Sequence, residues 1–116
     1  MDDKLSLRAS RAGIRLIAQT TIYNSGDQQR LSEYIANNYT PMALEQQPLD
    51  ARLQALQSDL DGIGRLRVRQ VMATSDHYVI VLMESEQGEG FTYVDLRVEE
   101  DYPHLISAYN QRPLSS

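Results

Sequence analysis

Cysteine is absent from this chain of 116 residues. Disulfides, thiolate catalysis and Cys-ligated zinc or iron–sulfur sites are therefore excluded. Tryptophan is absent too, and Phe91 is the one phenylalanine, so seven tyrosines carry nearly all the aromatic area. Basic residues are outnumbered: 11 Lys and Arg stand against 16 Asp and Glu, for a net charge of -5. That balance opposes a general nucleic-acid or anionic-membrane binder, whose footprint is basic. Long apolar runs are missing as well, and none approaches the ~20 residues that span a bilayer. The opening MDDKLSLRASRAG is acidic and then mixed, which is not a signal peptide. The chain is expected to be soluble and cytoplasmic, or secreted if a leader was removed before Met1.

Most catalytic signatures are missing as well. There is no His-x-His or His-Glu-x-x-His spacing, no Ser-centred elbow, no phosphate-cradling Gly loop and no dinucleotide fingerprint. His77 and His104 read as surface residues at strand starts, and a metal site needs about three converging ligands. No catalytic residue, metal ligand or cofactor is assigned.

What is present is the pattern of one domain, residues 1–116, with a modest aliphatic core. The apolar period is helical before Gly62 and strand-like after it. Leu7, Ile14, Ile17, Ala18, Thr21 and Ile22 share one face of a helix over about Ser6 to Tyr23. Asn24-Ser25-Gly26 stops it, with Gly26 free to adopt the left-handed C-terminal conformation. Asp27 or Ser25 caps a second helix bearing Leu31, Tyr34, Ile35 and Asn38 on one face, which Thr40-Pro41 ends. Met42 to Gln47 reads as a connection. Leu49, Leu53, Leu56, Leu60 and Ile63 form the stripe of a third helix, closed by Gly62 and Gly64.

Four strands follow. Arg65 to Thr74 alternates, with Leu66, Val68, Gln70 and Met72 on one face and Arg65, Arg67, Arg69 and Val71 on the other. Tyr78 to Met83 is continuously apolar, which predicts a central strand covered on both faces. Phe91 to Val98 alternates again, and His104 to Gln111 is the last strand. The turns, Ser75-Asp76, Glu86 to Gly90 and Glu99 to Pro103, are short enough for an antiparallel meander. The expected fold is α+β, three helices on one face of a curved four-stranded meander.

This element order, with the phrase Tyr23-Asn24-Ser25-Gly26-Asp27, resembles the cone-shaped α+β fold of the nuclear transport factor two superfamily, also called cystatin-like. Over roughly Asp27 to Pro113 the chain is also similar to small accessory domains that precede serine hydrolases of the β-lactamase class in some bacterial proteins. The residues that carry this are Tyr39-Thr40-Pro41, Leu53 to Gly64 and Pro103-His104-Leu105-Ile106. The first hairpin usual before the third helix has no counterpart here. The resemblance implies a concave, pocket-bearing side and dimerisation through the open sheet face. An accessory domain would continue beyond Ser116, and Arg112-Pro113-Leu114-Ser115-Ser116 reads as the start of a linker.

Two sets of residues follow as candidates. Tyr23, Tyr34, Tyr39 and Gln70 are expected to line a pocket for a small apolar ligand, with core packing of the tyrosines as the plainer alternative. Arg67, Arg69, Phe91, Tyr93, Asp95 and Arg97, with Val71 among them, form an apolar and aromatic centre edged by charge, the composition of an interface. They are expected to meet a second copy or a neighbouring domain. Asp95 is read as pointing away from the cone and pairing with Arg67 or Arg69, and Asp27 as a cap. The function expected is a non-catalytic ligand-binding or interaction module. The alternative is a small-molecule isomerase, cyclase or hydrolase using the cone.

Overall fold

The computed structural model describes residues 3–87 and 90–114. The middle of the expected turn, Gly88-Glu89, and the terminal Ser115-Ser116 lie outside the described residues. Five helices precede four strands: α1 Asp3–Arg8, α2 Arg11–Ser25, α3 Gln28–Asn38, α4 Pro41–Gln46, α5 Leu49–Ile63, then β1 Leu66–Thr74, β2 Tyr78–Ser85, β3 Phe91–Val98 and β4 Ile106–Pro113. The strands form one antiparallel sheet in the order β1-β2-β3-β4. The fold is α+β, helices on one face of a meander. Arg112 and Pro113 belong to β4 and are not linker.

Local chemistry explains the breaks. Ser10 interrupts the predicted first helix because its hydroxyl accepts from the Gly13 N–H at 2.9 Å and caps α2. Gly26 ends α2 with φ 75°, donating to the Tyr23 carbonyl. Asp27 caps α3 by accepting from the Arg30 N–H. Thr40 then caps a further helix, α4, with Pro41 in its first turn, where only a connection was expected. Asn24 faces β1 from the last turn of α2. Its amide donates to the Leu66 carbonyl and accepts from the Leu66 N–H, both at 2.8 Å.

The core lies between helices and sheet. Val79, Val81, Met83, Val94, Leu96 and Ile106 are fully buried, against Leu7, Leu16, Leu31 and Ile35 from the helices. Along β2 and β3 every second residue is buried and the residues between are not. The helices therefore cover one face alone. The expectation that β2 is covered on both faces fails within the described chain: Ile80 and Leu82 lie on the other face, partly buried by their neighbours but covered by no helix.

Register breaks decide the remaining faces. β1 slips between Val68 and Gln70 and again between Val71 and Ala73. Val71 thus pairs with inward Val81, and Gln70 with outward Leu82. Gln70 is exposed and Val71 half-buried, the reverse of simple alternation. β4 slips opposite Arg97 and Val98, so that Tyr109 and Gln111 pair with inward Leu96 and Val94.

Candidate functional site

Two features stand out, a polar cavity on the helix side of the sheet and an uncovered apolar patch on the other side.

The cavity, of about 180 Å³, lies between α5 and β4. Tyr39, Arg52, Leu56, Asp59, Tyr109 and Gln111 are among its walls. Arg52 and Asp59 are seven residues apart on α5, two turns along one face. Arg52 is 8% exposed. Its Nε donates to the Gln47 carbonyl at 2.8 Å and its Nη2 to the Ala43 carbonyl at 2.7 Å, so it grips the C-terminal end of α4. Its guanidinium carbon lies 4.9 Å from the centre of the Tyr39 ring. Asp59, half-buried, accepts from Gln111 Nε2 at 3.0 Å. Burial raises the Asp59 carboxyl above the usual range, and the Gln111 hydrogen bond partly offsets this.

Deeper in, Tyr39 donates its hydroxyl to Gln19 Oε1 at 2.6 Å. Gln19 is 1% exposed, and its Nε2 is the one buried side-chain polar atom without a hydrogen-bond partner among the described residues. Tyr23 donates to the Gly64 carbonyl at 3.0 Å, and Tyr109 to Gln111 Oε1. Burial pushes the phenols of Tyr23, Tyr39 and Tyr109 well above their ordinary value. They are neutral donors, not bases.

Burial of these phenols makes the fold sensitive to alkaline pH. Neutral phenol is favoured in the fold, so stability is full below the unfolded tyrosine value of about 10 and falls as pH rises beyond it. Tyr23, Tyr39 and Tyr109 are expected to ionise only together with unfolding, read as absorbance near 295 nm beside circular dichroism. Smooth ionisation of all seven tyrosines in protein that is still folded would contradict their burial.

The expected pocket residues divide. Tyr39 lines the cavity and Tyr23 lies behind it, near Gln111 and Asp59. Tyr34 is turned aside, donating to the Arg15 carbonyl at 3.3 Å. Gln70 is a correction: the β1 bulge carries it to the opposite face, away from any concave site. Gln19, Arg52, Asp59, Tyr109 and Gln111 were not expected. Arg52, Leu56 and Asp59 follow helical spacing, which was a legible signal. Tyr109 and Gln111 were hidden by the β4 slip.

On the outer face, Ile80 and Leu82 of β2 lie beside Tyr93 and Asp95 of β3. Phe91 is 40% exposed. Charge surrounds this centre. Arg67 and Arg69 both pair with Glu84, Arg69 at 3.2 Å, and Arg65 pairs with Glu86. Arg97 stacks over Tyr78 at 4.6 Å and Arg112 over Tyr93 at 5.1 Å. Asp95 points outward as expected, but it accepts from Asn110 at 3.1 Å rather than pairing with Arg67 or Arg69. The reason is strand order: β1 is two strands from β3, about 10 Å away. Val71 leaves the expected outer set because the bulge turns it inward.

Among the described residues no three His, Asp or Glu side chains are placed to share a metal ion, and no helix is long and apolar enough to cross a membrane. No family model matches the chain, and neither does any curated protein or solved structure.

Proposed function

We propose that this chain is a non-catalytic interaction module that pairs with a second copy of itself through the outer face of its sheet. The observation that carries this is the outer-face centre of Ile80, Leu82 and Tyr93, each partly buried and covered by no helix, with Phe91 exposed beside them. Isolated apolar residues on a surface are ordinary, but a contiguous patch rimmed by charge marks an interaction site.

A second copy is the occupant that fits best. Four strands of about eight residues present a projected area of about 500 Å², so two copies bury about 1,000 Å², the lower bound for a specific interface. The face is also self-complementary. A two-fold axis crossing the strands between Ile80 and Leu82 lays each Ile80 on the partner copy's Leu82. It also sets the Asp95 position opposite Tyr93 and the Arg97 position opposite Phe91. Arg67 and Arg69 share the one carboxylate of Glu84, which offsets part of their charge at the rim. Sheet-face pairing is also what the resemblance to the nuclear transport factor two superfamily implies.

Tyr93→Glu tests the reading. It places a carboxylate beside Asp95 at the centre of the patch, where burial of unpaired charge is costly. Light scattering is expected to give a mass of two chains for the parent protein and one chain for the variant, with folding unchanged. A dimer that survives Tyr93→Glu means the surface is wrong.

A small-molecule enzyme built on the cavity is the second reading, and Asp59 favours it. A carboxyl raised by burial beside neutral tyrosines has the character of a general base.

A further inference from the structure

We infer that the cavity between α5 and β4 is a binding site for a small monocarboxylate, held by Arg52 at one end and bounded by Asp59 at the other.

A guanidinium carries five N–H donors and a full charge. Arg52 is nearly buried, yet no carboxylate lies within 4 Å of it among the described residues. Two donors go to the backbone carbonyls of Gln47 and Ala43; among the described residues Nη1 has no hydrogen-bond partner, and it is not fully buried. The end of α4 offers only partial negative charge, and its six residues make a short dipole. A buried cation without a counter-ion is costly, and the usual remedy is an anion with matching geometry. A carboxylate matches a guanidinium well.

Arg112, also at the cavity wall, stacks its head over Tyr93 on the outer face and is not a second anchor.

Asp59 sets the other limit. It stands two turns along the same face of α5 and is the one acid at the cavity wall. Its charge repels a second carboxylate and accepts a hydrogen bond from a ligand's donor. Between the two ends lie Leu56 and the rings of Tyr39 and Tyr109, which suit a flat or apolar middle. A volume of about 180 Å³ equals about six waters of liquid. That suits a ligand of about ten non-hydrogen atoms.

The test is a nuclear magnetic resonance titration of the isotope-labelled full chain with four probes of similar size. Benzoate is expected to give saturable amide shifts at Leu56, Tyr109 and Gln111, with a Kd of about 1 mM or tighter. Benzyl alcohol, benzylamine and the dianion terephthalate are expected to bind at least about ten-fold more weakly. Asp59→Asn removes the repelling charge and is expected to tighten benzoate about three-fold and to admit terephthalate. A merely structural Asp59 would move neither. Arg52→Gln is expected to weaken benzoate about ten-fold; should that variant fail to fold, the Asp59→Asn comparison decides. No saturable benzoate shift at about 20 mM, equal binding of benzyl alcohol, or an Asp59→Asn variant indistinguishable from the parent would each overturn the assignment. The outcome is independent of the oligomeric state.

Discussion

Gly13→Ala is expected to cost the fold about 3 kcal/mol, although alanine is the better helix former by about 1 kcal/mol. The reason is the backbone of α1. A Cβ on Gly13 would lie 1.9 Å from the Leu7 carbonyl oxygen, 2.6 Å from its carbon and 2.8 Å from its Cα. No side-chain rotation relieves a clash with main chain. The first turn of α2 must move away from α1, and fully buried Leu7 must leave the core with it. Overpacking of this kind exceeds the propensity gain, and a fall in melting temperature of more than about 10 °C is expected. Gly62→Ala is the control. Gly62 lies in α5 with nothing within 4 Å of the added Cβ, so the same substitution there is expected to stabilise by about 0.5 to 1 kcal/mol. Thermal melts of the two variants with opposite signs support the packing. A Gly13→Ala protein as stable as the parent would mean that α1 does not lie on α2 as described.

Asn24→Ala is expected to be nearly as damaging, about 3 kcal/mol. Asn24 exchanges two hydrogen bonds of 2.8 Å with the main chain of Leu66, a buried residue at the start of β1. Truncation loses both bonds and leaves an N–H and a carbonyl short of partners, at about 1 to 3 kcal/mol for each group. Asn24→Asp separates the two contributions. At neutral pH aspartate can accept from the Leu66 N–H but cannot donate to the Leu66 carbonyl. Acid restores a donor, so Asn24→Asp is expected to recover part of the loss as pH falls through the carboxyl range, where Asn24→Ala does not. Chemical denaturation at two pH values reads the difference. Equal losses for both variants at both pH values would remove Asn24 from its place as the clamp between α2 and β1.

Asn24 also shows where sequence reasoning reaches and where it stops. Asn24-Ser25-Gly26 was legible as a helix stop, because a left-handed glycine after an apolar stripe is a local signal. That the same asparagine holds the edge of a sheet 42 residues away was not, because no local pattern encodes the partner. The cap at Asp27 and the alternation of β3 are local in the same sense, whereas Thr40 was read only as the end of a helix and not as the cap of the next. The close approach at Gly13 is tertiary, and nothing in its neighbours announces it.

The candidate sites divide along the same line. Phe91, Tyr93, Asp95 and Arg97 sit on β3, which is regular up to Arg97, and alternation placed them on the outer face. Gln70 and Val71 sit beyond a bulge, and one extra residue reversed their faces. Tyr109 and Gln111 follow the slip in β4 and turned inward for the same reason. A bulge is selected by how the strand fits the helices and its neighbour, so parity fails beyond each one. Arg52 and Asp59 were missed differently. Their spacing was plain, but a leucine stripe drew the reading of α5 towards core alone.

The central claim is that a second copy covers the outer face of the sheet. Isotope-filtered nuclear Overhauser spectra, recorded on a mixture of labelled and unlabelled chains, test it most directly. Contacts between chains from the methyl groups of Ile80 and Leu82 to each other and to the Tyr93 and Phe91 rings are the predicted result. A monomer at millimolar concentration, or contacts between chains that arise only from the helices, would contradict it.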